Sequence, residues 1–122
     1  MQPHGYAAAT QPETPLHPES FAELRELFAG EPSGEFERFL DSYLAGAERG
    51  LREIRAAAGA DPRAVVFSAH ALKGSSANVG ARRLAELCES LIAAAGDRAR
   101  QDAILSSMEE EYERLRTALK ES

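Results

Sequence analysis

From residue 20 onward, apolar residues recur at steps of three and four, the spacing of one helix face. Phe21, Leu24, Leu27 and Phe28 form a first short stripe. Ser20 with Glu23 has the form of a capping box at its start, and Gly30-Glu31-Pro32 stops it. Phe36, Leu40, Tyr43, Ala47, Leu51, Ile54 and Ala58 make a long second stripe, ended by Gly59. Ser33 is the expected cap of that helix, with Glu35 in its first turn. Asp61-Pro62 then pairs a capping side chain with proline at the first helical position. The third helix should run to about Val79, with Gly80 in a tight turn. Leu84, Leu87, Cys88, Leu91 and Ile92 define a fourth helix, broken by Gly96-Asp97. Ile104, Leu105, Met108, Tyr112, Leu115 and Leu119 define a fifth. No segment alternates apolar and polar residues with period two, and there is no internal repeat.

Short connections between long helices favour antiparallel neighbours. The pattern predicts an all-α fold: an antiparallel four-helix bundle of the second to fifth helices, with the short first helix capping one end. Residues 19–122 form this domain. Residues 1–18, rich in Ala, Pro, Thr, Gln and Gly and without periodicity, are expected to be a loose tail. His4 and His17 have no Cys, Asp or second His at ligand spacing and are read as surface histidines. Cys88, Met108 and Tyr112 belong to the core, since free cysteine is commonly a small buried hydrophobe. Glu109, Glu110, Glu111 and Glu113 are read as a solvated face, and Arg82 and Arg83 as exposed just past the turn.

Bulk properties narrow the function classes. A chain of 122 residues holds one domain with a real core. A net charge of −6 argues against nucleic acid and anionic membrane as partners. No apolar stretch reaches membrane-spanning length, and the N-terminus carries no secretory pattern. One cysteine allows neither an internal disulfide nor a Cys-based metal cluster. The expectation is a monomer in the cytoplasm, with no cofactor or metal of its own.

The chemistry concentrates in the third helix. At about 100° per residue, Val65, Ala69, Leu72, Ser76 and Val79 share the inward face. His70 falls on the opposite side, beside Val66, Phe67, Lys73, Gly74 and Ala77. A helical histidine is most often a plain surface residue or a core residue with satisfied nitrogens. The outward geometry rules out the core version. The surface version leaves three oddities: a mid-helix Gly74 that costs about 1 kcal/mol relative to Ala, apolar Val66 and Phe67 on an exposed strip, and Lys73 one turn from the imidazole. A docking site accounts for all three. Gly74 lets a partner approach, Val66, Phe67 and Ala77 form an apolar rim, and Lys73 meets an incoming anion. Neutral imidazole, with an unperturbed pKa of about 6.5, is a good nucleophile near neutral pH. Its attack on a phosphoryl group gives a phosphoramidate whose charge Lys73 can stabilise. Phosphoryl transfer needs mainly positioning and charge stabilisation, which a shallow site can share with its partner.

The run His70-Ala71-Leu72-Lys73-Gly74-Ser75-Ser76, closing in Gly80-Ala81 and followed by Leu84, Cys88 and Leu91, resembles the signature of the histidine-containing phosphotransfer (HPt) domain. The similarity is concentrated between about Asp61 and Leu91. It implies a four-helix bundle with His70 as phosphoacceptor, Lys73 on the phosphate and Gly74 giving access. It further implies receiver domains of response regulators or of a hybrid histidine kinase as partners, with Mg2+ on the receiver. Ile92 departs from the family pattern, where that position is often acidic. Such a protein is a phosphotransfer intermediate rather than an autonomous enzyme, and no ATP-binding glycine loop is present. The alternative is a non-catalytic receiver-binding adaptor with His70 idle. A bundle metal site would need inward Glu-x-x-His pairs, which are absent. A Ser-His-Asp site is disfavoured because Ser75 and Ser76 turn away from the imidazole, towards the backbone or the core.

Overall fold

The computed structural model describes residues 14–121, and five α-helices make up almost all of them. They are α1 (Pro18–Leu27), α2 (Glu35–Ala57), α3 (Pro62–Asn78), α4 (Arg82–Ala93) and α5 (Arg98–Glu121). Helix α2 packs on α3, α3 on α4, α4 on α5 and α5 back on α2, closing a four-helix ring. The connections are short, so consecutive helices run antiparallel. Ile54, Leu84, Leu91, Leu105, Met108 and Leu115 fill the centre. Cys88 lies among them, and burial pushes its thiol up to about 12. Tyr112 of α5 donates to the Leu44 carbonyl of the neighbouring α2 at 3.2 Å.

Helix starts follow local chemistry, with two departures from expectation. Asp61 caps α3 as anticipated, its Oδ1 accepting from Ala64 N–H at 3.1 Å, with Pro62 behind it. Asp97 does the same for α5 through Arg100 N–H. Ser33, however, does not cap α2: Gly34 takes the cap position in the left-handed region, at φ 92°, without a side-chain bond. Nor does Ser20 open α1. His17 is its cap, and Nδ1 accepts from Ser20 N–H at 3.3 Å with Ser20 Oγ at 3.0 Å. Thus His17 is a half-buried structural residue, not a plain surface histidine. Just before α1, Leu16 packs against the core, and the helix itself starts at Pro18. The rest of the expected tail, residues 1–13 including His4, lies outside the described residues.

Helix α1 closes one end of the bundle through Phe21 and Leu24. Phe21 and Phe28 both stack on Phe36, with ring centroids 5.7 and 5.1 Å apart. Its seat is the α3–α4 turn. There Ala81 N–H bonds to Ser76 O and Gly80 N–H to Ala77 O, a Schellman motif with Gly80 left-handed at φ 83°. Gly80 O accepts from His17 N–H at 2.7 Å. A Cβ on Gly80 would stand 3.2 Å from Phe21 N and 3.2 Å from Ser20 Cβ.

A further surface expectation fails on α5. Glu111 is only 4% exposed, because it shares a face with Met108, Tyr112 and Leu115. Its Oε1 accepts from Arg114 at 2.8 Å. A buried carboxylate is held by such a charged partner.

Two substitutions test this account by urea unfolding. Gly80→Ala should lose about 1–2 kcal/mol, from left-handed backbone strain and the crowding against α1. Tyr43→Phe should lose roughly 1–3 kcal/mol, because the buried Ser76 hydroxyl, 2.7 Å from Tyr43 Oη, is left without that partner. Stability equal to wild type in either variant would remove the corresponding contact from the explanation.

Candidate functional site

Helix α3 presents two chemically different sides. Val65, Ala69, Leu72, Ser76 and Val79 are all buried, as the periodicity requires. His70 is exposed on the other side. Ser76 is locked inward by its bond to Tyr43 of α2, whose phenol is pushed up chiefly by burial. Ser75 Oγ donates back to Leu72 O at 3.2 Å. Neither serine serves the imidazole.

His70 opens into a shallow depression of about 450 Å³ shared with Pro62, Arg63, Val66 and Phe67. Phe67 is 77% exposed, an unusual placement for a large aromatic side chain. The same ring borders a groove of about 470 Å³ between α2 and α3, together with Phe39, Gly46 and Arg49. Arg63 was not singled out from sequence, although it lies two turns before His70 on the same face.

Lys73 is less available than its spacing suggests. Its Nζ donates to Glu89 Oε2 of α4 at 2.7 Å, and that hydrogen bond holds the Glu89 carboxyl below the usual carboxylate range. Sequence reasoning missed Glu89. The signal was present: α3 and α4 are antiparallel about Gly80, and Lys73 and Glu89 stand at similar distances from that turn. Lys73, Ala77 and Glu89 line a recess of about 250 Å³ between the two helices. The expected rim therefore divides. Val66 and Phe67 sit with His70, whereas Ala77 sits with Lys73 on the α4 side. Arg82 borders that recess and is exposed, while Arg83 is half-buried.

Gly74 is exposed, and a Cβ built there meets nothing within 4 Å. The chain's own packing does not require a glycine at this position. The missing side chain leaves clear space next to His70, towards solvent.

Among the described residues, no group of three or more His, Cys, Asp or Glu side chains could hold a metal ion. No described helix is long and apolar enough to cross a membrane.

Comparison with known proteins bears on this arrangement. No curated protein sequence matches the chain. Among solved structures, histidine-containing phosphotransfer protein B (HptB) from Pseudomonas aeruginosa PAO1 superposes with a TM-score of 0.80 at 32% identity, covering 90% of this chain and 95% of that one. The maize histidine-containing phosphotransfer protein ZmHP2 has the same fold, with a TM-score of 0.80 at 24% identity over 96% of this chain and 88% of its own. The family model of the Hpt domain matches residues 34–119, from the start of α2 almost to the end of α5. That span takes in all four helices of the ring but for the last two residues of α5, with the exposed histidine among them, and the chain belongs to the Hpt domain family.

Proposed function

We propose that His70 carries the histidine phosphotransfer of this Hpt domain, accepting a phosphoryl group from a receiver-domain aspartate and passing it to another receiver. The observation that carries the reading is an exposed imidazole with Lys73 one turn on and open space at Gly74, inside the stretch that matches the family. His4 lies outside that stretch and the described residues, and His17 is engaged as a helix cap.

The step balances simply. The lone pair of the unprotonated imidazole nitrogen attacks phosphorus, an N–P bond forms, and the P–O bond to the aspartate breaks. The aspartate leaves as a carboxylate, and the ring keeps its proton on the other nitrogen. The reverse of the same exchange loads the next receiver. Lys73 offers its ammonium to the phosphoryl oxygens, and Arg63 supplies positive charge on the other flank. Mg2+ held by the receiver would supply charge neutralisation at the phosphoryl group. Val66 and Phe67 bury against the receiver, and Gly74 and Ala77 let its surface come close to the helix. In this reading the domain works as a monomer in the cytoplasm, with receivers of response regulators or a hybrid kinase as its partners.

Labelled phosphate on isolated receivers tests the assignment. Wild type should take up label that is acid-labile and alkali-stable. His70→Gln should take up none, at unchanged helicity and Tm. A His70→Gln variant that still labels would refute the site. If no receiver labels wild type yet one binds it, the domain is an adaptor. Gly74 gives a second test with opposite signs. Gly74→Ala should raise stability by about 1 kcal/mol, since the added methyl meets open space. Gly74→Leu should weaken receiver binding in a titration, and unchanged affinity would end the access role.

A further inference from the structure

Lys73 and His70 lie one turn apart on α3, yet they border different depressions. The imidazole opens beside Pro62, Arg63, Val66 and Phe67. The Lys73 ammonium is turned towards α4, in the recess bordered by Ala77, Arg82, Glu86 and Glu89, and its partner there is the Glu89 carboxylate at 2.7 Å. An ammonium has three N–H donors and no acceptor. Any phosphoryl oxygen on His70 must therefore draw the same cation from, or share it with, an anion already bound to it.

We propose that Glu89 is a positioning residue for phosphotransfer: its carboxylate competes with the phosphoryl group on His70 for the Lys73 ammonium and so keeps the phosphohistidine a ready donor. The inference rests on His70 being the phosphoacceptor. A relay intermediate has to give up what it accepts. A cation committed wholly to the phosphoryl group would deepen the phosphohistidine state and slow its discharge. A carboxylate on that cation removes part of the stabilisation in the loaded state and takes the cation back when the group departs. The transfer itself is unaltered in its bonds: N–P forms as the aspartyl P–O breaks, and the reverse on discharge. Glu89 changes only how far the exchange lies towards histidine. Both side chains are partly in water, Lys73 at 37% and Glu89 at 61% exposed, so solvent screens the pair. The effect is accordingly modest, about threefold in the equilibrium.

The test measures the equilibrium ratio of phosphohistidine to phosphoaspartate with one receiver that labels wild type. The variants are Glu89→Gln, Lys73→Ala and the double variant, each checked for helicity and Tm. Glu89→Gln should raise the ratio about threefold and slow discharge to a fresh receiver. Lys73→Ala should lower it. Because Glu89 acts through Lys73, adding Glu89→Gln to Lys73→Ala should produce no further change, a non-additivity that a merely structural role would not give. Carboxyl NMR supplies a readout independent of transfer: the Glu89 titration should move up towards the usual range in Lys73→Ala. An unchanged ratio in Glu89→Gln overturns the proposal, as does an equal shift in both backgrounds or an unmoved Glu89 titration. If wild type takes no label from any receiver, the phosphoacceptor reading falls and this proposal falls with it. Labelled wild type with an unresponsive Glu89→Gln removes this proposal alone.

Discussion

A helix has one azimuth, and α3 spends it on burying Val65, Ala69, Leu72, Ser76 and Val79. The buried bond between Ser76 and Tyr43 permits little rotation of the helix about its axis. With that face committed, His70 has nowhere to point but outward. Rotating the imidazole into the bundle would bring Leu72 and Ala69 into water and break the Tyr43 contact together. The exposure of the imidazole is thus a property of the core, enforced by residues that never approach it.

The turn that ends α3 extends this control to the rest of the domain. The left-handed Gly80 closes the Schellman motif, reverses the chain into α4, and offers its carbonyl to His17 at the start of α1. One residue therefore sets the register of the α3–α4 pair and seats the end cap. The register has a chemical consequence, since it brings Glu89 level with Lys73. The aromatic cluster of Phe21, Phe28 and Phe36 then seals the end that the turn has positioned.

Much of this was legible in the sequence because it is periodic or local. The inward and outward faces of α3 follow from spacing alone. Asp61-Pro62 and Gly80 act through neighbours a few residues away. What escaped depends on contacts between distant segments or on competition between adjacent caps. Ser20 carries a capping-box pattern, but His17 lies three residues earlier, anchored by Gly80, and takes the cap first. Ser33 lost its position to Gly34, whose left-handed backbone turns the chain into α2 without a side chain. Glu111 reads as one acid in an acidic run, and only the packing around Met108 and Leu115 shows it turned inward beside Arg114. Lys73 reads as a free cation because its partner sits on another helix. In each case the residue type was right and the partner was what the one-dimensional pattern lacked.

The two flanks of His70 are unlike each other, and that asymmetry gives the site a handedness. Towards α2 lie the exposed rings of Phe67 and Phe39, in a groove that also holds Arg49 and Glu53. Towards α4 lie Lys73, Glu89, Glu86 and Arg82, a small mosaic of opposite charges. A surface laid over the imidazole would meet exposed aromatic rings on the first flank and an ion pair on the second. The two flanks thus distinguish one direction across the helix from its reverse, so the exposed face carries an orientation as well as a position.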